Sequence, residues 1–332
     1  MRVRRRRYER HPQRQRRLRA PVISVGNLSM GGTGKSPVVA AIAQWLIAQG
    51  HRPAILSRGY ARADAADGVV VVSDGGSIMS TLDRSGDEPM MLARQVPGAI
   101  VCVSPERYLS GTLAERELGA TVHVLDDGFQ HIELARDLDV LVTRVGEIPG
   151  GRVIPAGRLR ESMDAAARAH VLVVSDATAG AAASEAWTLG VSQSCAAVRK
   201  LQPPIGLKPD APSSEAATTA VLAVAGIAHP ERFVQSLKDA GWNVVDAVTF
   251  KDHHRYSPSD VASIQSRVAA SGASAVFTTD KDAVRFEVVD VPFALYRVPL
   301  QVEFEPAAAL FESIRTVLGS SSVQSSEPGR EQ

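Results

Sequence analysis

The chain has 332 residues, and its 45% hydrophobic content suits well-buried globular domains rather than a disordered protein. The two cysteines, Cys102 and Cys195, lie far apart in apolar segments, which argues against a disulfide framework or a Cys-x-x-Cys metal site and favours a reducing, cytoplasmic compartment. No apolar segment approaches the roughly 20 residues of a membrane-spanning helix, and residues 8–20 lack the apolar core of a signal peptide. We therefore expect a soluble or peripheral protein.

Positive charge is concentrated at the start of the chain. Residues 1–20 contain ten arginines and one glutamate, whereas the whole chain carries a net charge of +1, so the remainder is acidic. Clustered arginines are attracted to an anionic membrane by about 1 kcal/mol per charge near the surface. Nucleic acid is not an expected partner, because only Tyr8 is available for stacking and no nucleic-acid-binding motif accompanies the charge.

In chain order, residues 21–25 form a predicted buried strand, residues 26–36 a glycine-rich loop and residues 37–49 a helix that Gly50 ends. Apolar segments then predict strands at 54–56, 69–72, 99–103, 122–125, 140–142 and 171–174. Predicted helices at 88–95 and 109–118 separate several of these strands. This alternation predicts an α/β fold with a mostly parallel sheet and helices on both faces.

The composition turns rich in Ala, Ser and Pro at about residues 177–214, and a second α/β alternation follows. Strands are predicted at 221–225, 244–250 and 275–279, with helices from residue 230, from residue 257 and at 306–318. We therefore predict a basic arm at 1–20, a P-loop nucleotide-binding domain at 21–185, a second smaller α/β domain at 186–318 and a disordered tail at 319–332.

The strongest single motif is Gly-Gly-Thr-Gly-Lys-Ser, between a predicted strand and a predicted helix. In such loops the backbone N–H groups approach phosphate oxygens, the lysine neutralises phosphate charge and the hydroxyl joins the shell of Mg²⁺. We expect ATP and Mg²⁺ as cofactors, although the general GxxxxGK[ST] pattern has glycine where this chain has Ser29. The predicted nucleotide-binding residues are Gly31, Gly32, Thr33, Gly34, Lys35 and Ser36, and Ser36 is also a predicted metal ligand.

Two acidic pairs are candidate catalytic or metal-binding residues. Asp126 and Asp127 follow a predicted strand, where ligands of an open α/β sheet collect, and they fit acids that hold Mg²⁺ or its water. The alternative is an ordinary exposed turn before Gly128. Asp87 and Glu88 open a predicted helix, and acids at that position are also common as helix caps.

A succession of motifs narrows these alternatives. Gly26-Asn27 precedes the glycine-rich loop, and Pro37 follows it. The further motifs, in chain order, are Ser57-Arg-Gly-Tyr60, Gly86-Asp-Glu-Pro89, Asp126-Asp-Gly-Phe-Gln-His131, Pro155-Ala-Gly157 with Leu159-Arg-Glu161, and Asp252-His-His254. This succession resembles the tetraacyldisaccharide 4'-kinase family over about residues 21–290. The resemblance implies transfer of the ATP γ-phosphoryl group to the 4'-hydroxyl of an acylated glucosamine disaccharide 1-phosphate in lipid A biosynthesis, at the cytoplasmic face of the inner membrane.

The resemblance also implies roles for individual residues. Asp87 matches the catalytic base, and His253, rather than His254, matches its partner; Lys35 and Arg107 then stabilise the transferring charge. We expect closure of a cleft between the two domains to bring His253 to Asp87. Asn27 joins the nucleotide site, and the implied metal contacts are Glu88, Asp126 and Asp127. The implied substrate contacts are Arg58, Tyr60, Gln130, His131, Arg160, Glu161 and His254, although Arg58 and Tyr60 also fit a simple strand-end turn.

Two departures from the family accompany the match. The family usually has Pro-Leu-Arg-Glu-Pro where this chain has Arg158-Leu-Arg-Glu-Ser162, and familiar members begin with a longer apolar segment. We expect the arginine arm to replace that segment as a peripheral membrane contact, unless the true start lies upstream. The main alternative function is a P-loop switch ATPase of the partition or maturation type, and a third is an inactive membrane adaptor.

Overall fold

The computed structural model describes residues 8, 10–59, 62, 68–207 and 219–324, and the chain forms two compact units. The first unit contains Met1–Ser85, Val96–Arg199 and Val302–Gln332, and the second contains Gly86–Gln95 and Lys200–Gln301. The second unit thus begins later than the predicted boundary at residue 186, and it includes a ten-residue segment from the first half of the chain. Composition alone does not reveal this, because a short helix can pack against partners that are distant in sequence.

Strands and helices are numbered here in chain order. The strands are β1 Val22–Gly26, β2 Pro53–Ser57, β3 Val70–Asp74, β4 Ile100–Val103, β5 Val122–Asp126, β6 Leu138–Thr143, β7 Val171–Ser175, β8 Gln193–Leu201, β9 Ile205–Gly206, β10 Ala220–Ala225, β11 Asn243–Thr249, β12 Ala275–Thr279, β13 Leu295–Val298 and β14 Leu300–Glu305. The α-helices are α1 Lys35–Ala48, α2 Leu82–Ser85, α3 Asp87–Gln95, α4 Arg107–Glu117, α5 Ala179–Leu189, α6 Pro230–Asp239, α7 Pro258–Ser271, α8 Asp280–Phe286 and α9 Ala307–Gln324.

The larger sheet has nine strands in the order β14-β8-β7-β6-β1-β5-β2-β4-β3. The pairings from β8 to β4 are parallel, and β3 runs antiparallel to β4. Every residue of β1, β2, β5, β6 and β7 is buried. Parallel strands covered on both faces need continuous apolar segments, which is why the sequence pattern finds them. The predicted α/β fold with a mostly parallel sheet is confirmed.

The second unit contains a five-stranded sheet in the order β11-β10-β12-β13-β9. Its first four strands are parallel to their neighbours, and the short β9 is antiparallel to β13. The core of this unit includes Leu222, Ile264 and Phe277, all fully buried. Helix α7 starts with a capping box, because the Ser257 side chain accepts from the backbone N–H of Asp260 while the Asp260 carboxylate accepts from that of Ser257.

The Ala- and Ser-rich segment before residue 200 is folded. It folds as α5, which Thr178 caps at its start and Gly190 ends in the left-handed conformation, and then as β8. Alanine is the best helix former, so the composition that suggests low complexity here favours a helix. Helix α9 likewise continues to Gln324, so the tail predicted from residue 319 is wrong for residues 319–324; residues 325–332 lie outside the described residues.

The second half of the predicted basic arm belongs to the first unit. The backbone N–H of Arg16 donates to Glu133 O at 2.9 Å, and that of Ala135 donates to Arg16 O at 2.9 Å. Leu18 is buried in the core, and Arg17 pairs with Asp137 at 2.8 Å. Most of residues 1–9 lie outside the described residues. Within the described chain, no helix combines the length and apolarity needed to cross a bilayer.

Candidate active site

The glycine-rich loop connects β1 to α1, and its backbone takes conformations that favour glycine. Gly31 has φ 120° and Gly34 has φ 91°, and Lys35 is the first residue of α1. The Ser175 hydroxyl, at the end of β7, donates to Thr33 O at 2.8 Å and fixes the middle of the loop. The first-turn N–H groups of α1 and the positive end of its dipole therefore lie at the loop, an arrangement suited to a phosphate anion.

Buried polar side chains form hydrogen bonds that support this loop. Asn27, fully buried, donates through Nδ2 to Ser29 O at 2.8 Å and to Thr33 Oγ1 at 3.1 Å. Ser29, which stands where the general pattern has glycine, donates through its hydroxyl to Glu147 at 2.7 Å and has no positive φ. The loop therefore does not need glycine at position 29. Asn27 orders the loop from the inside.

Two arginines hold the loop from the side. The Arg158 guanidinium donates to Met30 O at 2.8 Å, and the Arg144 guanidinium donates to Gly32 O. A side chain at Gly31 would meet the Arg158 guanidinium, whose Nη2 lies 2.5 Å from the position of an added Cβ. Arg158, which replaces the usual proline of the family motif, thus has a contact that proline could not make.

Strand register brings the first acidic pair beside the loop. Strands β1 and β5 are parallel neighbours with Val25 opposite Asp126, so Asp126 and Asp127 lie at the edge where β1 runs into the loop. Asp126 is buried and accepts from the Ser57 hydroxyl at 3.2 Å. Asp127 has φ 55°, a left-handed conformation that costs about 1 kcal/mol or more for a non-glycine residue. The alternative of an ordinary exposed turn does not fit Asp126.

Asp127 is engaged by cations in this structure. Arg160 Nη1 donates to its two carboxylate oxygens at 3.0 and 2.8 Å, and Lys35 Nζ lies 3.4 Å from Oδ1. Burial by itself raises the pKa of Asp127, but the charges of Lys35 and Arg160 outweigh burial and lower it. Asp127 therefore orients the loop lysine through its ion pairs with Lys35 and Arg160, and its role as a metal ligand stays a prediction.

The donor chemistry of the first unit fits Mg²⁺. Mg²⁺ prefers hard oxygen ligands and is held by one or two carboxylates together with phosphate oxygens. The Ser36 hydroxyl in the first turn of α1 and the Asp126 carboxylate at the end of β5 offer oxygen atoms of this kind. Among the described residues, no three acidic, His or Cys side chains converge as a metal cage. The predicted ligand Glu88 lies in the second unit, where its carboxylate is 3.9 Å from Lys281 Nζ.

Arg107 is a buried cation close to these acids. It begins α4, is 4% exposed and donates to Pro105 O at 3.0 Å, while its Nε has no hydrogen-bond partner in the described structure. Burial and the neighbouring Arg58 guanidinium lower the pKa of Arg107 to about 10, although Asp126 and Asp127 oppose this, so it stays charged at neutral pH. A buried, incompletely paired guanidinium is suited to an anionic ligand. Tyr60 lies outside the described residues.

The remaining predicted substrate contacts of the first unit form a network under the loop. Gln130 donates to Asn27 O at 2.9 Å and to Glu161 Oε1 at 3.2 Å, and Arg160 donates to Gln130 Oε1 at 3.3 Å. Glu161 is buried and also accepts from Arg168 at 3.4 Å. His131 donates its backbone N–H to Gly128 O at 2.8 Å. The structure thus brings Gln130, Arg160 and Glu161 together with Asp127.

The second acidic pair lies with the histidines in the second unit. Asp87 is the first residue of α3, and its Oδ2 is 2.9 Å from His253 Nδ1. The expectation that closure of a cleft brings these residues together is wrong, because both belong to one unit and are already in hydrogen-bond contact. His253 has φ 61°, so it takes a strained left-handed conformation at this contact.

His254 points elsewhere. Its Nε2 lies 3.1 Å from Asp260 Oδ2 at the start of α7, and its ring stacks on Phe250 with centroids 4.4 Å apart. His253 is therefore the histidine that partners Asp87, and His254 supports the helix cap.

Sequence reasoning missed two cations at Asp87. Arg285 donates to Asp87 Oδ2 through Nε at 2.9 Å and Nη2 at 2.5 Å, and Lys281 Nζ lies 3.2 Å from His253 Nε2. Burial raises the pKa of Asp87, but the hydrogen bond to His253 and the Arg285 guanidinium outweigh it and lower the pKa to about 2. The available signal was Thr279-Asp-Lys-Asp-Ala-Val-Arg285, a charged segment directly after a buried strand.

A phosphate loop at a helix start, acids on the adjacent strand end and a histidine-bound carboxylate define a P-loop phosphotransferase. The profile of the family described as tetraacyldisaccharide-1-P 4'-kinase matches residues 1–319. The chain belongs to this family.

Individual relatives cover most of the chain. A tetraacyldisaccharide 4'-kinase of Pelobacter propionicus is 41% identical over 274 residues, which are 81% of this chain and 75% of the relative. One from Desulfotalea psychrophila is 37% identical over 313 residues, covering 90% of this chain and 88% of the relative. The crystal structure of LpxK from Aquifex aeolicus in complex with ATP superposes with a TM-score of 0.76 at 28% identity, covering 95% of this chain and 94% of that chain.

Proposed function

We propose that this chain transfers the γ-phosphoryl group of ATP to the 4'-hydroxyl of tetraacyldisaccharide 1-phosphate. The observation that carries the proposal is the contact of Asp87 with His253, because a histidine-bound carboxylate suits the deprotonation of an acceptor hydroxyl. A switch ATPase, which activates water or releases a partner, has no need of such a base in addition to its phosphate loop. Family membership supplies the identity of donor and acceptor.

The first unit binds the donor in this proposal. Backbone N–H groups of residues 31–36 and the Lys35 ammonium hold the ATP phosphates, and Asp127 keeps the lysine oriented toward them. Ser36 and Asp126 would hold Mg²⁺, with Glu88 and Asp127 as further candidates, and the ion would neutralise phosphate charge. Arg107 supplies a fixed positive charge that stabilises the transferring phosphoryl group.

The second unit supplies the base. Because the hydrogen bonds with His253 and Arg285 keep the pKa of Asp87 at about 2, the carboxylate is ionised at neutral pH; as a weak base it accepts the acceptor proton late, as the new P–O bond forms. His253 Nδ1 is positioned to donate to Oδ2 and so fixes the carboxylate. We assign acceptor contacts to Arg58, Tyr60 and the network of Gln130, His131, Arg160 and Glu161.

The test is a phosphoryl-transfer assay with Mg²⁺-ATP and tetraacyldisaccharide 1-phosphate in detergent micelles, read by mass spectrometry. We expect addition of one phosphate at the 4' position. Asp87→Asn should lower kcat by about 10²–10⁴-fold, the usual contribution of a general base, while the Kd for ATP changes little. Lys35→Ala should weaken both ATP binding and turnover, because its ammonium faces the phosphates in ground and transition states.

Two outcomes would count against the proposal. Equal ATP consumption with and without lipid, and no phosphorylated lipid, would favour the switch ATPase. An Asp87→Asn enzyme with wild-type kcat would remove Asp87 as the base even if the lipid is the substrate.

We further propose that the chain works as a peripheral protein on the anionic cytoplasmic face of the inner membrane, since its acceptor is an acylated lipid. Residues 1–7 contain five arginines that can bind acidic headgroups. In vesicle sedimentation, the protein should bind vesicles containing phosphatidylglycerol more strongly than pure phosphatidylcholine. Changing these five arginines to glutamine should abolish the difference; unchanged binding would remove the arm as the contact.

A further inference from the structure

Among the described residues, every hydrogen bond of the Asp87 carboxylate falls on one oxygen, Oδ2. His253 Nδ1, Arg285 Nε and Arg285 Nη2 all lie within 2.9 Å of Oδ2, and Oδ1 has no partner in the described chain. The side chain of Asp87 is 18% exposed. One oxygen is thus anchored and the other is left with its lone pairs unused, which is the arrangement that a base needs when it must present a defined acceptor atom.

The anchor itself is rigid. Arg285 is 1% exposed, and its Nη1 donates to Gly226 O at 2.8 Å and to Asp282 Oδ1 at 2.9 Å. Asp282, fully buried, also accepts from Tyr256 Oη at 3.1 Å and from the Gly226 N–H at 3.0 Å. Arg285 therefore has no freedom to choose another partner, and the position of Asp87 Oδ2 is set by the core of the second unit.

Lys281 acts on the histidine side of the same carboxylate. Its Nζ is 3.2 Å from His253 Nε2 and 3.0 Å from Asp252 Oδ1. An ammonium group can only donate hydrogen bonds, so His253 Nε2 must accept, and the ring proton must then be on Nδ1, facing Asp87. Lys281 thus favours the tautomer of His253 that carries its proton on Nδ1 and donates it to Asp87 Oδ2.

We propose that Arg285 and Lys281 are positioning residues for the base: Arg285 fixes Asp87 Oδ2 so that Oδ1 faces the acceptor hydroxyl, and Lys281 sets the His253 tautomer that completes the anchor. The inference deepens the proposed function and rests on it. Neither residue needs to touch the substrate for this role.

The kinetic test uses Arg285→Ala, Arg285→Lys and Lys281→Met, with Arg94→Ala as control. Arg94 pairs with Glu287 at 2.7 Å between α3 and the end of α8, so its loss removes a surface ion pair between the same two segments. We expect Arg285→Ala to lower kcat by about 100-fold, with the KM for lipid and ATP within about threefold, because misplacing a catalytic group by about 1 Å costs that much. Lys281→Met should lower kcat about tenfold, and Arg94→Ala should act like wild type.

Chemical rescue with guanidinium distinguishes the loss of a positioning contact from general damage to the fold. Millimolar guanidinium, too dilute to unfold the protein, should restore part of the kcat of Arg285→Ala and should not affect Asp87→Asn. Arg285→Lys should stay slow, since an ammonium cannot make the paired Nε and Nη2 bonds to one oxygen. If Arg285→Ala lowers kcat and raises KM by similar factors, and guanidinium does not restore kcat, the positioning role is overturned.

A second readout does not depend on activity. In ¹⁵N-histidine NMR spectra, His253 should show the Nδ1–H tautomer in wild type and a mixture of tautomers in Lys281→Met. A wild-type enzyme with the Nε2–H tautomer would refute the role of Lys281. If wild type phosphorylates no lipid, the proposed function fails, and the tautomer result still decides the structural part of the inference.

Discussion

Gly34 has φ 91° where the phosphate loop enters α1, and an added Cβ would lie 3.1 Å from Ser175 Oγ. Gly34→Ala should therefore destabilise the first unit by about 1–2 kcal/mol, because a side chain in the left-handed region is strained and the hydroxyl that binds Thr33 O must move. Thermal unfolding of the ligand-free protein measures the loss.

Gly32→Ala is the matched control for that substitution. Gly32 has no positive φ, and an added Cβ meets no atom within 4 Å. A melting temperature of Gly34→Ala equal to that of Gly32→Ala would show that the loop relaxes without cost.

At the residue scale, the residues of the motifs could be predicted from the sequence, but the partners of their side chains could not. Gly31–Ser36 and Asp126 were found because phosphate and metal binding need particular residue types in a particular order, whereas the Asp87–His253 pair came from the resemblance to the family. Arg285 and Lys281 were missed, since buried arginines and lysines carry no periodic signal of their own. The exact partner of Asp127 depends on the rotamers of Lys35 and Arg160, which only the folded neighbours determine.

At the element scale, the start of α7 is held by the capping box of Ser257 and Asp260, and Asp260 also contacts His254, the residue next to His253. Ser257→Ala should cost about 1 kcal/mol, the typical loss on removing an N-cap side chain. Amide hydrogen exchange in the first turn of α7 should accelerate. We also expect a modest fall in kcat, because the cap anchors the segment that presents His253.

Ser266→Ala provides the comparison inside the same helix. Its exposed hydroxyl only bonds back to Ala262 O, and alanine is the better helix former. If Ser257→Ala exchanges as slowly as Ser266→Ala, the cap does not hold this end of the helix.

Buried parallel strands were predictable because both faces are covered and the apolar segments are continuous. The register of β1 against β5 and the order of the strands were not, since pairing between distant segments leaves no local pattern. Helix α3 was predicted as a helix, but its place in the second unit follows from its packing against α8 and from the contact of Gln95 with Asp280 at 2.6 Å. Tertiary packing alone decides that assignment.

At the scale of the whole molecule, both cysteines are buried in the nine-stranded sheet, Cys102 in β4 and Cys195 in β8. Burial raises the pKa of each thiol to about 12, so the reactive thiolate is scarce at neutral pH. The native protein should therefore react with almost no thiol reagent at pH 8, and both thiols should react after unfolding in urea. Rapid modification of either thiol in the native protein would show that an edge of the sheet opens readily.

The second unit is assembled from two stretches that the ribosome makes at different times. Residues 86–95, with Asp87, the proposed base, and the buried side chains of Met90, Met91 and Leu92, emerge about 185 residues before α8, against which this helix packs. At about 5–20 residues per second, this helix waits roughly 10–40 s for its packing partner. During synthesis, its apolar face is therefore accessible to chaperones, and a gene fragment encoding residues 200–301 alone would produce a domain without Asp87, the proposed base.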